Sequence, residues 1–114
     1  MKEKKRREKE ITQILTDEKL SAIKTMLEKD HAIDCIFLLY INKGRWGQAK
    51  EFLRENLGKH IADGTFRLRM MELELRDLAT HENIRKNPKQ KQYFITDFGI
   101  KFARGLIDLF NHIQ

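Results

Sequence analysis

The chain has 114 residues, of which 40% are hydrophobic and 35% charged, and its formal net charge is +6. This length allows one modest hydrophobic core but not two domains with separate cores. The composition is typical of a soluble helical protein, and no apolar run reaches the roughly 20 residues of a membrane span. We therefore expect a single domain without membrane contact, in the cytoplasm or, for a viral protein, the host cytoplasm.

The first third of the chain is predicted to form N-terminal helices. Residues 1–10 are a basic tail with six basic and three acidic side chains, frayed or helical, that acts either as a phosphate-contacting arm or as a solvated tail. Helical spacing of apolar residues continues through 11–29, where Thr16 and Asp17 are expected to break the pattern and cap a second helix. Residues 31–42 are apolar almost all round, which predicts a central core helix, with a strand as the alternative.

Residues 45–79 carry the pattern of two helices joined by a short turn. The first is predicted over residues 48–56, with Gly58 ending it. The second lies within residues 61–79, and Asp63 or Thr65 is expected to cap its first free amides. Its buried face is predicted from three apolar residues at helical spacing, Phe66, Met70 and Leu73. A short glycine-containing turn before an arginine-bearing helix is typical of a helix-turn-helix.

After residue 79 the helical periodicity gives way to the composition of strands. Residues 80–86 and 92–96 are predicted to form a β-hairpin, or wing, with a turn at 87–90. Four basic residues against one acidic residue in 79–92 make this hairpin basic. The last segment, 97–113, is predicted to be a helix with Thr96 or Asp97 as its cap.

This order of elements resembles the winged-helix regulators of the broad MarR/PadR-like group, which includes the HxlR-type proteins. Their recognition helix often reads I-S-x-G-T-L-x-x-x-L-x-x-L-E-x-x-G-L-I, and the matching positions here are Ile61, Gly64, Thr65, Phe66, Met70, Leu73, Glu74 and Leu78. Their second wing strand and last helix commonly read Y-x-L-T-x-x-G, which is similar to the YFITDFG of residues 93–99. Asp77 departs from the pattern, because the group usually has glycine at this helix end. The resemblance covers residues 33–103.

The resemblance implies a mainly α fold with a small β-hairpin wing, a winged helix-turn-helix (α+β) with extra N-terminal helices and a C-terminal helix. It also implies a homodimer held together by the final helix and residues 11–29. The expected function is sequence-specific binding of double-stranded DNA by a transcriptional regulator, with repression as the expected outcome. The sequence identifies no small-molecule effector.

The candidate DNA-binding residues lie on the helix-turn-helix and on the wing. The second helix is expected to enter the major groove and to contact bases or phosphates through Thr65, Arg67 and Arg69. The residues expected to hold the flanking phosphates are Gln48, Lys50, Lys59 and His60. The wing residues expected to reach phosphates or an adjacent minor groove are Arg85, Lys86, Lys89 and Lys91.

A second apolar stripe on the same helix consists of Leu68, Met71 and Leu75. Such a stripe is unusual on an exposed helix face. The N-terminal helices or a second subunit are expected to cover Met71 and Leu75. Leu68 is either covered as well or contacts thymine methyl groups from within the groove.

Enzyme chemistry is not expected. The single cysteine, Cys35, lies in the most apolar segment and is interpreted as a buried core thiol, and no histidine pairs with it at metal-ligand spacing. The chain has no glycine-rich phosphate loop or nucleophile elbow, and no cofactor is predicted. Two alternatives remain open, an architectural protein that coats DNA without reading it and a winged-helix module that binds protein.

Overall fold

The computed structural model describes residues 2–86 and 90–113. Within these ranges the chain forms α-helices and one antiparallel hairpin, in the order α1 (Lys2–Leu15), α2 (Glu18–Leu27), α3 (Ala32–Tyr40), α4 (Trp46–Leu57), α5 (Asp63–Leu75), β1 (Ala79–Asn83), β2 (Lys91–Ile95) and α6 (Asp97–Ile113). A short 3₁₀ turn, Ile84–Lys86, follows β1. The predicted wing turn falls mostly on residues 87–89, which lie outside the described residues. The expected mainly α chain with a small β-hairpin is confirmed.

Residues 2–10 of the basic tail are helical and belong to α1. This helix contributes no buried residue. The predicted break follows it, because Asp17 caps α2 by accepting a hydrogen bond from the backbone N–H of Leu20 at 2.9 Å. Ile23 and Met26 are the residues of α2 that are buried. The N-terminal helices therefore reach the core through α2, while α1 is exposed to solvent along its length.

Helix α3 lies at the centre of the core, as its apolar composition predicts. Five of its nine residues are buried, namely Ala32, Cys35, Ile36, Leu38 and Leu39. The helical prediction is confirmed, and the strand alternative is wrong. Burial raises the pKa of the Cys35 thiol to about 12, with a further increase from the neighbouring Asp34 carboxylate. A thiol with this pKa is protonated at neutral pH, in agreement with the interpretation of Cys35 as a core residue.

Helices α4 and α5 are joined by the short turn that the sequence predicts. Gly58 ends α4 in the left-handed region, with φ of 62°. The expected capping of α5 by Asp63 or Thr65 is wrong, because its N-cap is Ala62 and no side chain caps it. Asp63 is the first residue of the helix, and its carboxylate instead accepts a hydrogen bond from Arg67 Nε at 2.8 Å. The predicted inner face of α5 is confirmed by the burial of Phe66, Met70 and Leu73.

The hairpin pairs Ala79 with Ile95 at its base and Asn83 with Lys91 at its outer end. Strand β2 also forms a hydrogen bond to the segment before α4, where the backbone N–H of Tyr93 donates to Gly44 O at 3.0 Å. A Cβ atom on Gly44 would overlap the carbonyl oxygen of Tyr93, so this close approach requires glycine. The hairpin is thereby fixed directly beside the start of α4.

Helix α6 begins at Asp97, as the sequence predicts. Of the two proposed caps, Thr96 is the one used, because its Oγ1 accepts a hydrogen bond from the backbone N–H of Gly99 at 3.0 Å. The same hydroxyl donates to Asp77 O at 2.6 Å and links the start of α6 to the end of α5. Gly99 and Ala103 are the buried residues of α6. Its C-terminal half therefore projects beyond the core.

Candidate nucleic-acid interface

Helix α5 presents a face to solvent that is opposite its buried residues. Leu68 is 49% exposed, Met71 48% and Leu75 72%. Arg67 flanks this row on the side of the hairpin, with 63% of its side chain exposed. Thr65, on the other flank, is half-buried. The accessible surface of this helix is thus an apolar row bordered by one exposed arginine.

A cleft of about 600 Å³ separates α5 from the hairpin and the start of α4. Three cationic side chains line it, Arg45 before α4, Arg67 on α5 and Lys91 on β2, beside apolar side chains that include Met71 and Tyr93. The structure therefore brings together two predicted residues, Arg67 and Lys91, with Arg45, which we did not predict as a contact. The signal for Arg45 was its position between Gly44 and the predicted helix, in a segment rich in basic residues.

Arg69 is placed differently from Arg67. Its Nε donates to the backbone carbonyl oxygen of Asp30 at 2.7 Å, and its Nη1 lies 3.4 Å from both carboxylate oxygens of Glu72. Lys29 Nζ donates to the same carboxylate at 2.8 Å. Only 13% of the Arg69 side chain and 16% of the Glu72 side chain are exposed. This cluster, which we name the corner network (Lys29, Asp30, Arg69 and Glu72), fastens α5 to the α2–α3 corner.

The base of the hairpin is fastened to α5 from the other side. His81 on β1 places Nδ1 2.6 Å from a carboxylate oxygen of Glu74 on α5. The His81 ring also lies 5.7 Å, centroid to centroid, from the ring of Tyr93 on β2. Burial raises the pKa of the Tyr93 hydroxyl, and the negative charge of Glu74 raises it further. These contacts hold α5 and both strands in one arrangement.

The residues predicted to contact flanking phosphates lie on α4 and on the turn after it. Gln48 and His60 are exposed. Lys50 is also exposed, and its Nζ lies 4.9 Å from the centroid of the Trp46 ring. Lys59 Nζ is 3.4 Å from Asp34 Oδ1, so Lys59 forms an ion pair with an acidic side chain. Of this group, Lys50 lies nearest to the cleft, because the Trp46 ring beneath its Nζ lines it.

The predicted wing cations are described only in part. Arg85 is exposed, and its φ of 53° places it in the left-handed region. Lys91 is exposed beside the cleft. Lys89 and the side chain of Lys86 lie outside the described residues.

The apolar row of α5 has no cover within the described chain. Met71 lines the cleft beside the hairpin, whereas Leu75 faces a second groove of about 470 Å³ with Ile23 and Phe98. The N-terminal helices do not cover these two side chains, because α1 has no buried residue and Leu75, in the groove that α2 lines, is 72% exposed. The alternative, cover by a second subunit, stays a prediction.

Membrane-spanning helices and metal sites are absent from the described ranges, 2–86 and 90–113. No helix there is both long enough and apolar enough to cross a membrane. No group of three or more His, Cys, Asp or Glu side chains in those ranges is placed to hold a metal ion.

No protein-family model and no curated protein matches this chain. Solved structures are similar, among them F93 from STIV, a winged-helix DNA-binding protein, with a TM-score of 0.58, 21% identity and coverage of 74% of this chain and 89% of the other. S. aureus MepR in a DNA complex matches with a TM-score of 0.59, 15% identity and coverage of 90% and 84%. A MepR mutant from a multidrug resistant S. aureus clinical isolate matches with a TM-score of 0.58 and 13% identity, over 92% of this chain and 73% of the other.

These likenesses show that the chain has the winged-helix fold. In that fold α4 and α5 are the helix-turn-helix, and β1 and β2 are the wing. Of the proteins compared, F93 is a winged-helix DNA-binding protein and MepR is seen in a complex with DNA.

Proposed function

We propose that this protein is a transcriptional regulator that binds double-stranded DNA sequence-specifically as a homodimer. Helix α5 enters the major groove, and the wing contacts the flanking backbone or minor groove. The dimer occupies its operator and represses transcription by blocking access to it. Membership of the MarR/PadR-like group is part of the same proposal, and it is supported by the two sequence motifs and by the similar DNA-binding structures.

The observation that carries this proposal is the convergence of Arg45, Arg67 and Lys91 around one cleft beside the outer face of α5. Three elements distant in sequence each place a cation there, and Arg85 extends the positive charge onto the wing. Cations grouped on one face match the regular phosphates of a duplex. Helix α5 exposes one face beside this cleft, and an α-helix has the diameter that the major groove accepts.

The dimer is supported by apolar side chains that the single chain leaves exposed on α1 and α6. They include Ile11, Ile14 and Leu15 on α1, and Leu109, Phe110 and Ile113 on α6. Exposed apolar residues repeated along two helices are typical of a subunit interface. A dimer through these helices would place two copies of α5 about 34 Å apart, on successive turns of one DNA face.

The test is selection of bound duplexes from a random pool, followed by gel-shift titration of the Arg67→Glu variant. The selected duplexes should share an inverted repeat, and Arg67→Glu should weaken binding at least tenfold, because it replaces a groove-facing cation by an anion. Lys101→Glu on α6 makes the same change of charge outside α5 and the wing and should retain affinity. Unaltered binding by Arg67→Glu, with the fold intact, would remove α5 from the interface.

A second candidate is a winged-helix module that binds protein, and the apolar row Leu68, Met71 and Leu75 favours it. The architectural candidate predicts equal affinity for all duplexes with a steep salt dependence. Pool selection separates the three, because a regulator enriches one sequence, an architectural protein enriches none, and a protein-binding module retains no duplex.

A further inference from the structure

The outward face of α5 is mainly apolar and offers few hydrogen-bonding groups. Its centre is formed by Leu68 and Met71, each about half exposed. The exposed arginine beside them is Arg67, whose Nε donates to Asp63 Oδ1 at 2.8 Å, since Arg69 is held in the corner network. An apolar patch with cations along its hairpin side fits a surface that carries methyl groups beside rows of phosphates.

We propose that Leu68 and Met71 read thymine through its 5-methyl group in the major groove, so that the preferred operator has two thymines per half-site under α5. This inference rests on the proposed function and specifies the DNA sequence class that it would take. Thymine is distinguished in the major groove by its methyl group, which makes apolar contacts with side chains. Neither leucine nor methionine offers a donor that could read guanine or adenine.

The spacing of the two side chains supports two separate thymine contacts. Leu68 and Met71 are three residues apart and lie on one helix face, displaced by about 4.5 Å along the axis. Successive base pairs are stacked about 3.4 Å apart. The two side chains therefore reach thymines in neighbouring base pairs or in base pairs separated by one step.

The charges around the row favour DNA over a protein partner. Arg45 and Lys91 join Arg67 on the hairpin side of Met71, and none of the lining residues of that cleft is acidic. An apolar helix of a protein partner would make no favourable charge interaction with these three cations. Leu75 lies one turn beyond Met71 and lines a different groove, with residues of α2 and α6, that none of these three cations lines.

The test uses the selected operator with each thymine in one half-site replaced singly by deoxyuridine. This change removes one methyl group and keeps the Watson–Crick pairing. We expect a loss of about fourfold in affinity at each of two positions, the factor that corresponds to roughly 0.8 kcal/mol per buried CH₂-sized group. Leu68→Ala should abolish the loss at one position and Met71→Ala at the other, with unchanged unfolding temperatures because both side chains are half exposed.

The matched control is Leu75→Ala, which removes an exposed apolar side chain from the same row. This variant should bind the operator like the wild type and remain sensitive to deoxyuridine at both positions. Tight binding with no deoxyuridine effect at any position would overturn the inference and leave the proposed function standing. Failure of the wild type to retain any duplex, with or without capture of a protein through the row, would overturn both.

Discussion

Arg67 and Arg69 differ in what their side chains contact, although they are two residues apart on one helix. Arg69 donates to Asp30 O at 2.7 Å and pairs with Glu72, so its removal leaves a backbone carbonyl and a largely buried carboxylate with fewer partners. We expect Arg69→Ala to lower the free energy of unfolding by about 1–3 kcal/mol, as measured by urea denaturation. Arg67→Ala removes an exposed side chain and should change it by less than about 0.5 kcal/mol.

DNA titrations at several salt concentrations give the complementary measurement for the same two variants. Arg67→Ala should reduce the slope of log affinity against log salt by about 1, because one phosphate-neutralising cation is lost. Arg69→Ala should keep the wild-type slope under conditions where it is folded. A reduced slope for Arg69→Ala with unchanged stability would instead make Arg69 a DNA contact, as its residue type alone suggested.

The sequence could predict the helix that carries these arginines but not their separate roles. Residue type and helical phase indicate that both side chains lie outside the stripe of Phe66, Met70 and Leu73. The partner that holds Arg69, a backbone carbonyl at Asp30, is 39 residues away and carries no sequence signal. Local periodicity therefore predicts the exposed face of α5, whereas contacts distant in sequence determine that Arg67, and not Arg69, remains exposed on it.

At the scale of an element, the end of α5 adopts the conformation that the winged-helix pattern expects of glycine. Asp77 has φ of 63°, and the next backbone N–H, of Leu78, donates to Leu73 O at 2.9 Å, which closes the helix end. The left-handed conformation costs an L-amino acid about 1–2 kcal/mol. The Asp77 carboxylate is also repelled by the negative end of the helix dipole. We expect Asp77→Gly to raise the free energy of unfolding by about 0.5–1 kcal/mol, as measured by urea denaturation.

Asp77→Ala is the matched control for that substitution. It removes the same charge but keeps a Cβ in the left-handed region, so its gain in stability should be clearly smaller. An equal gain for alanine and glycine would assign the effect to the charge rather than to the backbone.

The elements that were predicted correctly are those whose signals are local. The core helix α3, the stop at Gly58 and the start of α6 all follow from periodicity, a glycine or a capping residue. The cap of α5 was mispredicted because Asp63 and Thr65 are both good capping residues, yet the chain enters the helix at Ala62 and Asp63 pairs with Arg67. Whether a suitable side chain caps a helix depends on where the preceding turn places the backbone.

At the scale of the whole molecule, the longest dimension of 58 Å reflects helices that extend beyond the core. Helix α1 has no buried residue, and the last turns of α6 expose Leu109, Phe110 and Ile113. In the proposed dimer these faces bury each other and set the separation of the two copies of α5. The dimer should therefore determine affinity for a full operator but not the contacts made with each half.

This separation of roles predicts the behaviour of the double variant Leu109→Glu with Phe110→Glu. Two charges in the proposed subunit interface should yield a monomer in sedimentation analysis, because a buried unpaired carboxylate costs far more than the contact provides. Affinity for the full inverted repeat should fall at least tenfold, toward that for a half-site duplex, and half-site affinity should be unchanged. Ile33→Glu places a charge at an exposed apolar position outside α1 and α6 and should remain dimeric. A double variant that keeps both its mass and its full-operator affinity would show that the subunits associate through another surface, and the exposed end of α6 would then need a different explanation.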